Sequence, residues 1–227
     1  MKLFFGLGTS QPVLVATDVR EYLSEDKRCQ YQDGYSMAEA AKSWVSAEGY
    51  LPKLIAAIVG NKELNSAHFE YPTKVWGGGT AMTDVMAFMP NGIIAVEAKV
   101  NEPFDNLVSV WIDIKKRDNP NSPDHRKGVI RQYANAFGVA YESLLNIRYQ
   151  LLQRTLCAAI TANDMGLSKA WMIVQHFGNG SGDHDQTNLS DFNRFAALVG
   201  IAPVIEGVPV QIAWAEDEVD SRSPERR

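Results

Sequence analysis

Between residues 83 and 100 the chain reads TDVMAFMPNGIIAVEAKV, and three of its side chains, Asp84, Glu97 and Lys99, carry charge inside runs that are otherwise almost wholly apolar. Unpaired charge among such neighbours is costly, so these groups must be held by one another or by something added. Two carboxylates that converge on one point repel each other and lose hydration, and a divalent cation such as Mg2+ relieves both effects by taking oxygens from each. A lysine on the same face can position or help deprotonate a water, or offset the negative charge that builds on a phosphate under attack. These are the parts needed to hydrolyse a phosphodiester. The competing reading is a salt bridge of Lys99 with Glu97 or Asp84 on a solvent-facing strand.

A hairpin would bring the three together. Residues 83–89 and 93–100 are rich in apolar and β-branched side chains, and the PNG between them supplies turn chemistry. Alternation puts Asp84, Met86 and Phe88 on one side of the first strand, and Ile93, Ala95, Glu97 and Lys99 on one side of the second. All three charged residues then lie away from the turn, at one end of a sheet.

Upstream, SMAEAAKSWVSAEGYLPKLIAAIVGN begins with Ser36 as N-cap and Glu39 three residues later, a capping box, and Gly49 and Pro52 split it into two helices. SAHFEYPTKVW reads as extended and ends in the run Gly77, Gly78 and Gly79, which opens tight backbone shapes. Downstream, HRKGVIRQYANAFG and YESLLNIRYQLLQRTLCAAITAND read as helices. The second is one long helix with Leu144, Leu145, Leu151, Leu152 and Leu156 on an inward stripe. AWMIVQHF is a buried strand, GNGSGDHDQ a loop, LSDFNRFAALVG a capped helix and VPVQIAWAE a last strand. Strands that do not strictly alternate with helices favour an α/β three-layer sandwich, with a central mixed β-sheet flanked by helices, over a doubly wound parallel fold. One domain is expected over residues 1–216, with the charged DEVDSRSPERR at 217–227 as a disordered tail.

The formal net charge of -5 argues against coating nucleic acid through a broad positive surface, while leaving room for a local basic groove. Residues 115–131 gather Lys115, Lys116, Arg117, Arg126, Lys127 and Arg131 as a solvated loop or a phosphate contact. MKLFFGLGTS is too short an apolar patch, broken by Gly6 and Gly8, for a secretory signal or membrane span, so a cytoplasmic protein with no membrane partner is expected. Cys29 and Cys157 lack metal-ligand spacing and read as free, buried, structural thiols. His68, His125, His176 and His184 are too scattered for a zinc site. WGGGTAMTD lacks the end of a P-loop. Trp76 and Trp111 are core residues or base-stacking ones.

Asp84 followed at a distance by Glu97-Ala98-Lys99 resembles the D…(D/E)xK signature of the PD-(D/E)xK phosphodiesterase superfamily, which includes the restriction endonuclease-like nucleases. GGGTAMTD, VEAKVNEPF and RYQLLQRT are similar to stretches of uncharacterised bacterial proteins with that core. The resemblance implies a restriction endonuclease-like order of helix, three strands, helix, strand, along which residues 36–175 can be laid. It also implies Asp84 and Glu97 as ligands of Mg2+ or Mn2+, the Ala98 carbonyl as a third oxygen, and Lys99 as water-positioning base or electrostatic aid. Thr83 stands where the name-giving motif has proline. A first-helix glutamate near the metal falls on Glu39 or Glu48, with Glu39 preferred, and Glu102 follows the second strand within reach. Gln150 and Arg154, four apart on one helix face, loosely resemble a Gln-containing helical motif, and Arg154 suits bidentate phosphate recognition, with a structural hydrogen-bond network under the sheet as the equal alternative. The implied function is Mg2+-dependent hydrolysis of DNA or RNA by Asp84, Glu97 and Lys99, supported by Glu39, Gln150 and Arg154. The alternative is a catalytically silent domain of the same core that binds nucleic acid or serves assembly. A homodimer is compatible with either.

Overall fold

The computed structural model describes residues 2–29, 31–77, 79–114, 123–178 and 184–217. An N-terminal strand β1 (Leu3–Phe5) leads through helices α1 (Ala16–Tyr22), α2 (Glu25–Arg28), α3 (Ser36–Ser46) and α4 (Lys53–Val59) to strands β2 (Ser66–Lys74), β3 (Thr80–Met89) and β4 (Gly92–Lys99). Four helices follow, α5 (Val108–Asp113), α6 (Pro123–Phe137), α7 (Tyr141–Leu144) and α8 (Tyr149–Asp164), and then β5 (Ala170–Phe177), α9 (Asp185–Val199), β6 (Val204–Ile205) and β7 (Val208–Asp217). Among the described residues no helix is long and apolar enough to cross a membrane.

The strands form one mixed seven-stranded sheet in the order β1-β2-β3-β4-β5-β7-β6. β2, β3 and β4 run antiparallel, while β4, β5 and β7 run parallel. The α/β class and the mixed sheet with helices on it agree with the expectation. The sheet is curled into a half-barrel. Its centre is β4, buried at all eight positions, which is why its sequence shows a continuous apolar run instead of alternation. Pro90 and Asn91 close the β3–β4 hairpin between the paired Met89 and Gly92. A side chain at Gly92 would come within 2.9 Å of the Lys169 carbonyl and 2.6 Å of the Trp171 ring, so only glycine fits there. Gly77, at φ 89°, packs a position where a Cβ would lie 2.4 Å from Val129; Gly78 lies outside the described residues.

Each face of the sheet buries its own cluster. Ile93 and Ala95 of β4 join Met172 and Val174 of β5 against Leu152 and Leu156 of α8. Ile94, Val96 and Ala98 join Ile173 against Val19, Trp44 and Ile55 of the N-terminal helices. Twelve of the sixteen α8 residues are buried, and each leucine removed from water there contributes about 1.5–3 kcal/mol. One buried charged residue, Arg154, sits in this apolar helix. Along β3 the alternation slips once, because Ala81 and Met86, five apart, pack in the same cluster. Beside the slip, Glu70 of β2 takes φ 49°, a left-handed conformation rare for a residue with a side chain.

Several local expectations shift. The long helix expected over 141–164 is broken into α7 and α8, since Arg148 adopts extended backbone, bridges to Leu107 and pairs its guanidinium with Asp191 at 2.6 Å. Ser36 is the first helical residue and Tyr35 the N-cap, so Glu39 reaches back past both and accepts from the Gly34 N–H at 2.9 Å. The loop expected over 178–186 ends early, at His184, where α9 is capped. Cys157 is buried as expected, but Cys29 is exposed. The tail is outside the described residues from 218 onward.

In the basic run, Lys115, Lys116 and Arg117 lie outside the described residues, and Arg126 is buried rather than solvated. Its Nη1 donates to the carbonyls of Trp111 and Ile112, each at 3.1 Å, and of Ile114, satisfying the end of α5. Arg131 lies over the Tyr141 ring and Lys127 pairs loosely with Asp124. Arg126→Met is expected to cost about 2 kcal/mol by orphaning those carbonyls, read as a lower urea midpoint at unchanged slope.

Candidate active site at the end of the central hairpin

The β3–β4 ladder runs from Met89↔Gly92 to Val85↔Val96, and one step further Asp84 stands across from Glu97. At that step a side chain takes over from the backbone: Asp84 Oδ2 accepts the Ala98 N–H at 2.8 Å. The N–H and C=O of a strand residue point the same way, so the Ala98 carbonyl is also directed to the Asp84 side. On the other strand neighbour, Glu70 stands across from Asp84, between the pairs Phe69↔Val85 and Tyr71↔Thr83. Three carboxylates therefore occupy one transverse row over β2, β3 and β4.

Glu97 is the anchor. Lys99 Nζ lies 2.9 Å from its Oε1 and Arg154 Nε 2.5 Å from its Oε2, and Glu97 is 1% exposed. Burial alone would raise the Glu97 pKa, but Lys99 and Arg154 together bring it below its usual value. Burial likewise works against the cations, yet Glu97 and Asp84 outweigh it and push Lys99 and Arg154 up, so both stay charged. Lys99 also lies over the Phe104 ring at 5.5 Å. Asp84 is the strained member: burial and the Glu97 charge push it up to about 7, and Arg154, Lys99 and the Ala98 N–H pull back only in part.

Asp84, Glu97 and Lys99 form part of the lining of a cavity of about 640 Å³, with Arg154 behind Glu97. Its sheet side carries Glu70, Asp84, Glu97 and Lys99, with Asn101, Glu102 and Gln150 beyond. The opposite wall is the N-terminal segment, with Lys27, Tyr31, Tyr35, Ser36 and Met37. Lys27 reaches across to Glu70 Oε2 at 2.5 Å.

The structure thus brings Asp84, Glu97, Ala98, Lys99 and Arg154 together, and Gln150 joins them at the cavity while its Oε1 accepts the Asp105 N–H at 3.1 Å. Glu39 does not join. Although Ser36 and Met37 of its helix line the cavity, Glu39 is turned to Gly34 and to Lys42 at 2.9 Å. Glu48, two residues beyond α3, takes φ 52° and lines a separate depression. Glu102 lines the cavity and accepts the Val100 N–H at 3.3 Å. Trp111 stacks on Tyr149 and Trp76 meets Tyr133 edge-on, both in core roles. Glu70 and Lys27 escaped the sequence reading. For Glu70 the signal was present, a lone acid between aromatic residues in HFEYP; Lys27 sits in a charged run that marks nothing.

Would a cation fit? Asp84 spends one oxygen on Ala98, and the other takes no hydrogen bond among the described residues. Each Glu97 oxygen has one charged donor and keeps a lone pair for a second partner. With the Ala98 carbonyl, these are hard oxygen donors of the kind Mg2+ and Mn2+ accept. Among the described residues no group of three or more His, Cys, Asp and Glu side chains is placed to hold a metal ion, so a cation here would rest on two carboxylates, backbone and water.

A family model described as Domain of unknown function (DUF6946) matches residues 12–219, most of the chain, and the protein belongs to that family. No curated protein and no solved structure matches the chain.

Proposed function

We propose that this DUF6946 protein is a Mg2+- or Mn2+-dependent phosphodiesterase acting on nucleic acid, built on a restriction endonuclease-like core of the PD-(D/E)xK superfamily. The observation that carries the reading is the meeting of Asp84, Glu97 and Lys99, from two neighbouring strands, at one cavity. The order helix, three strands, helices, strand from α3 to β5 supports the same core.

In this reading Asp84 and Glu97, with the Ala98 carbonyl, hold the ion. The bound ion supplies Lewis-acid stabilisation of charge on the phosphoryl oxygens. Lys99 stays an ammonium and therefore orients the attacking water and offsets charge at the phosphate instead of acting as a free base. Arg154 keeps Glu97 ionised from beneath. Asp84, half-protonated near neutrality without an ion, gives up its proton when a cation binds.

A second reading, a silent module that binds without turnover, draws on one observation: both Glu97 oxygens already face a cation, Lys99 on one and Arg154 on the other, so Glu97 is neutralised without an added ion. Calorimetric titration with Mn2+ at pH 7, followed by incubation with labelled DNA and RNA, separates the two. Ion binding with proton release and ion-dependent cleavage is expected. Binding without cleavage supports the module, and no binding overturns the metal site.

A further inference from the structure

Resting on the reading above and narrowing its substrate, we infer that the cavity takes unpaired nucleic acid, a flexible single strand or free strand end, with a base stacked on Tyr35 and a phosphate met by Lys27, and that it rejects an intact duplex. Depth is the first reason. Glu97 is 1% and Lys99 6% exposed, whereas Tyr35 on the facing wall is 49% exposed. A duplex is rigid across its width and cannot push one backbone phosphate past such a rim, whereas an unpaired strand can bend in, as enzymes that work on extruded nucleotides require.

Charge is the second reason. The cavity gathers Glu70, Asp84, Glu97 and Glu102 against Lys27 and Lys99, on a chain of net charge -5. Duplex affinity grows from many phosphate contacts along a basic surface, and in the described part of the basic run Arg126 is bound to carbonyls, which leaves Lys127 and Arg131 on the surface. Binding here must draw on few phosphates and on something apolar.

The facing wall supplies both. Tyr35 holds the N-cap position of α3 without a side-chain cap bond, and its ring makes no aromatic contact among the described residues, so its face is open to a base. Neighbouring Tyr31 is different, buried and donating its hydroxyl to the Ala16 carbonyl. Lys27, with 44% of its side chain exposed, lies at the cavity with Glu70 as its partner. A phosphate oxygen entering there can replace Glu70 and leave that carboxylate beside Asp84.

The test measures anisotropy of short labelled DNA and RNA, single-stranded and duplex, in Ca2+, and cleavage of the same molecules in Mn2+. Either single strand is expected to bind about tenfold or more tighter than its duplex, and Tyr35→Ala to weaken that binding about tenfold, with Tyr35→Phe close to wild type. Lys27→Gln should lower the salt dependence by about one phosphate contact. Duplex bound and cut as well as single strand overturns the inference while leaving the hydrolysis standing. Single-strand binding without any cleavage upholds the inference and overturns the hydrolysis. Unchanged binding by Tyr35→Ala, or an unchanged salt slope in Lys27→Gln, removes the contact assigned to that residue.

Discussion

Asp84→Asn abolishes ion-dependent cleavage, by roughly a thousandfold or more, and in the same molecule raises thermal stability at pH 8 in the absence of divalent ions. Loss of activity and gain of stability are expected together because the carboxylate is costly to the fold when no cation faces it. Its pKa rises from 3.8 to about 7 on folding, chiefly through burial and then through Glu97. The native state therefore holds a proton that the unfolded chain has released, and stability from this group falls as pH rises through the window from about 4 to 7. Above that window the full penalty applies, about 2–4 kcal/mol. Asparagine cannot ionise, yet its amide oxygen can still accept the Ala98 N–H that Asp84 accepts at 2.8 Å. Melting curves in chelator should thus coincide for wild type and mutant near pH 4 and separate in favour of the mutant by pH 8. Mn2+ should then raise the wild-type melting temperature at pH 8 and leave the mutant unmoved. A mutant that melts below wild type at pH 8 would show that Asp84 is a favourable ion-pair partner of Lys99 and Arg154, and the metal proposal would lose its driving force.

How far such a site can be read from residues alone depends on the range of the forces that make it. The β3–β4 hairpin was legible because its causes are local: two apolar runs and a turn separate Asp84 from Glu97 by a distance that pairing closes automatically. Arg154 was legible as a polar residue on a leucine-rich helix, with a phosphate or a structural network under the sheet as its expected partner, and it pairs with Glu97 at 2.5 Å. What escaped is set at long range. β1 is three residues that become a strand only by pairing with β2, some sixty positions on. The break before α8 comes from Leu107 and Asp191, and nothing near Arg148 announces it. No local rule sends Glu70 to φ 49°; it takes that shape where β3 loses its alternation and Lys27 arrives from another element. Glu39 shows the reverse case. A capping box was recognised one residue out of place, and the carboxylate expected near the metal puts its Oε1 on the Gly34 N–H and on Lys42.

Arg154→Met should be among the most damaging single substitutions in the chain, costing about 3–5 kcal/mol, because of what it leaves behind. Methionine fills similar space in α8, and it even removes a penalty, since Arg154 Nη1 is buried without a hydrogen-bond partner among the described residues. The loss falls on Glu97. With Arg154 gone, a carboxylate 1% exposed keeps Lys99 alone as a charged donor, and Asp84 loses the cation that most restrains its rise. Lysine at position 154 should not rescue, because a single ammonium on a shorter reach cannot reproduce the guanidinium contact. Adding Glu97→Gln should. In the double mutant the buried charge disappears with its partner, and urea unfolding at pH 7 is expected to recover about 2 kcal/mol or more of the loss as a coupling energy. Additive losses would mean that Arg154 stabilises the helix by packing alone, and that Glu97 is held ionised by Lys99 without help from beneath the sheet.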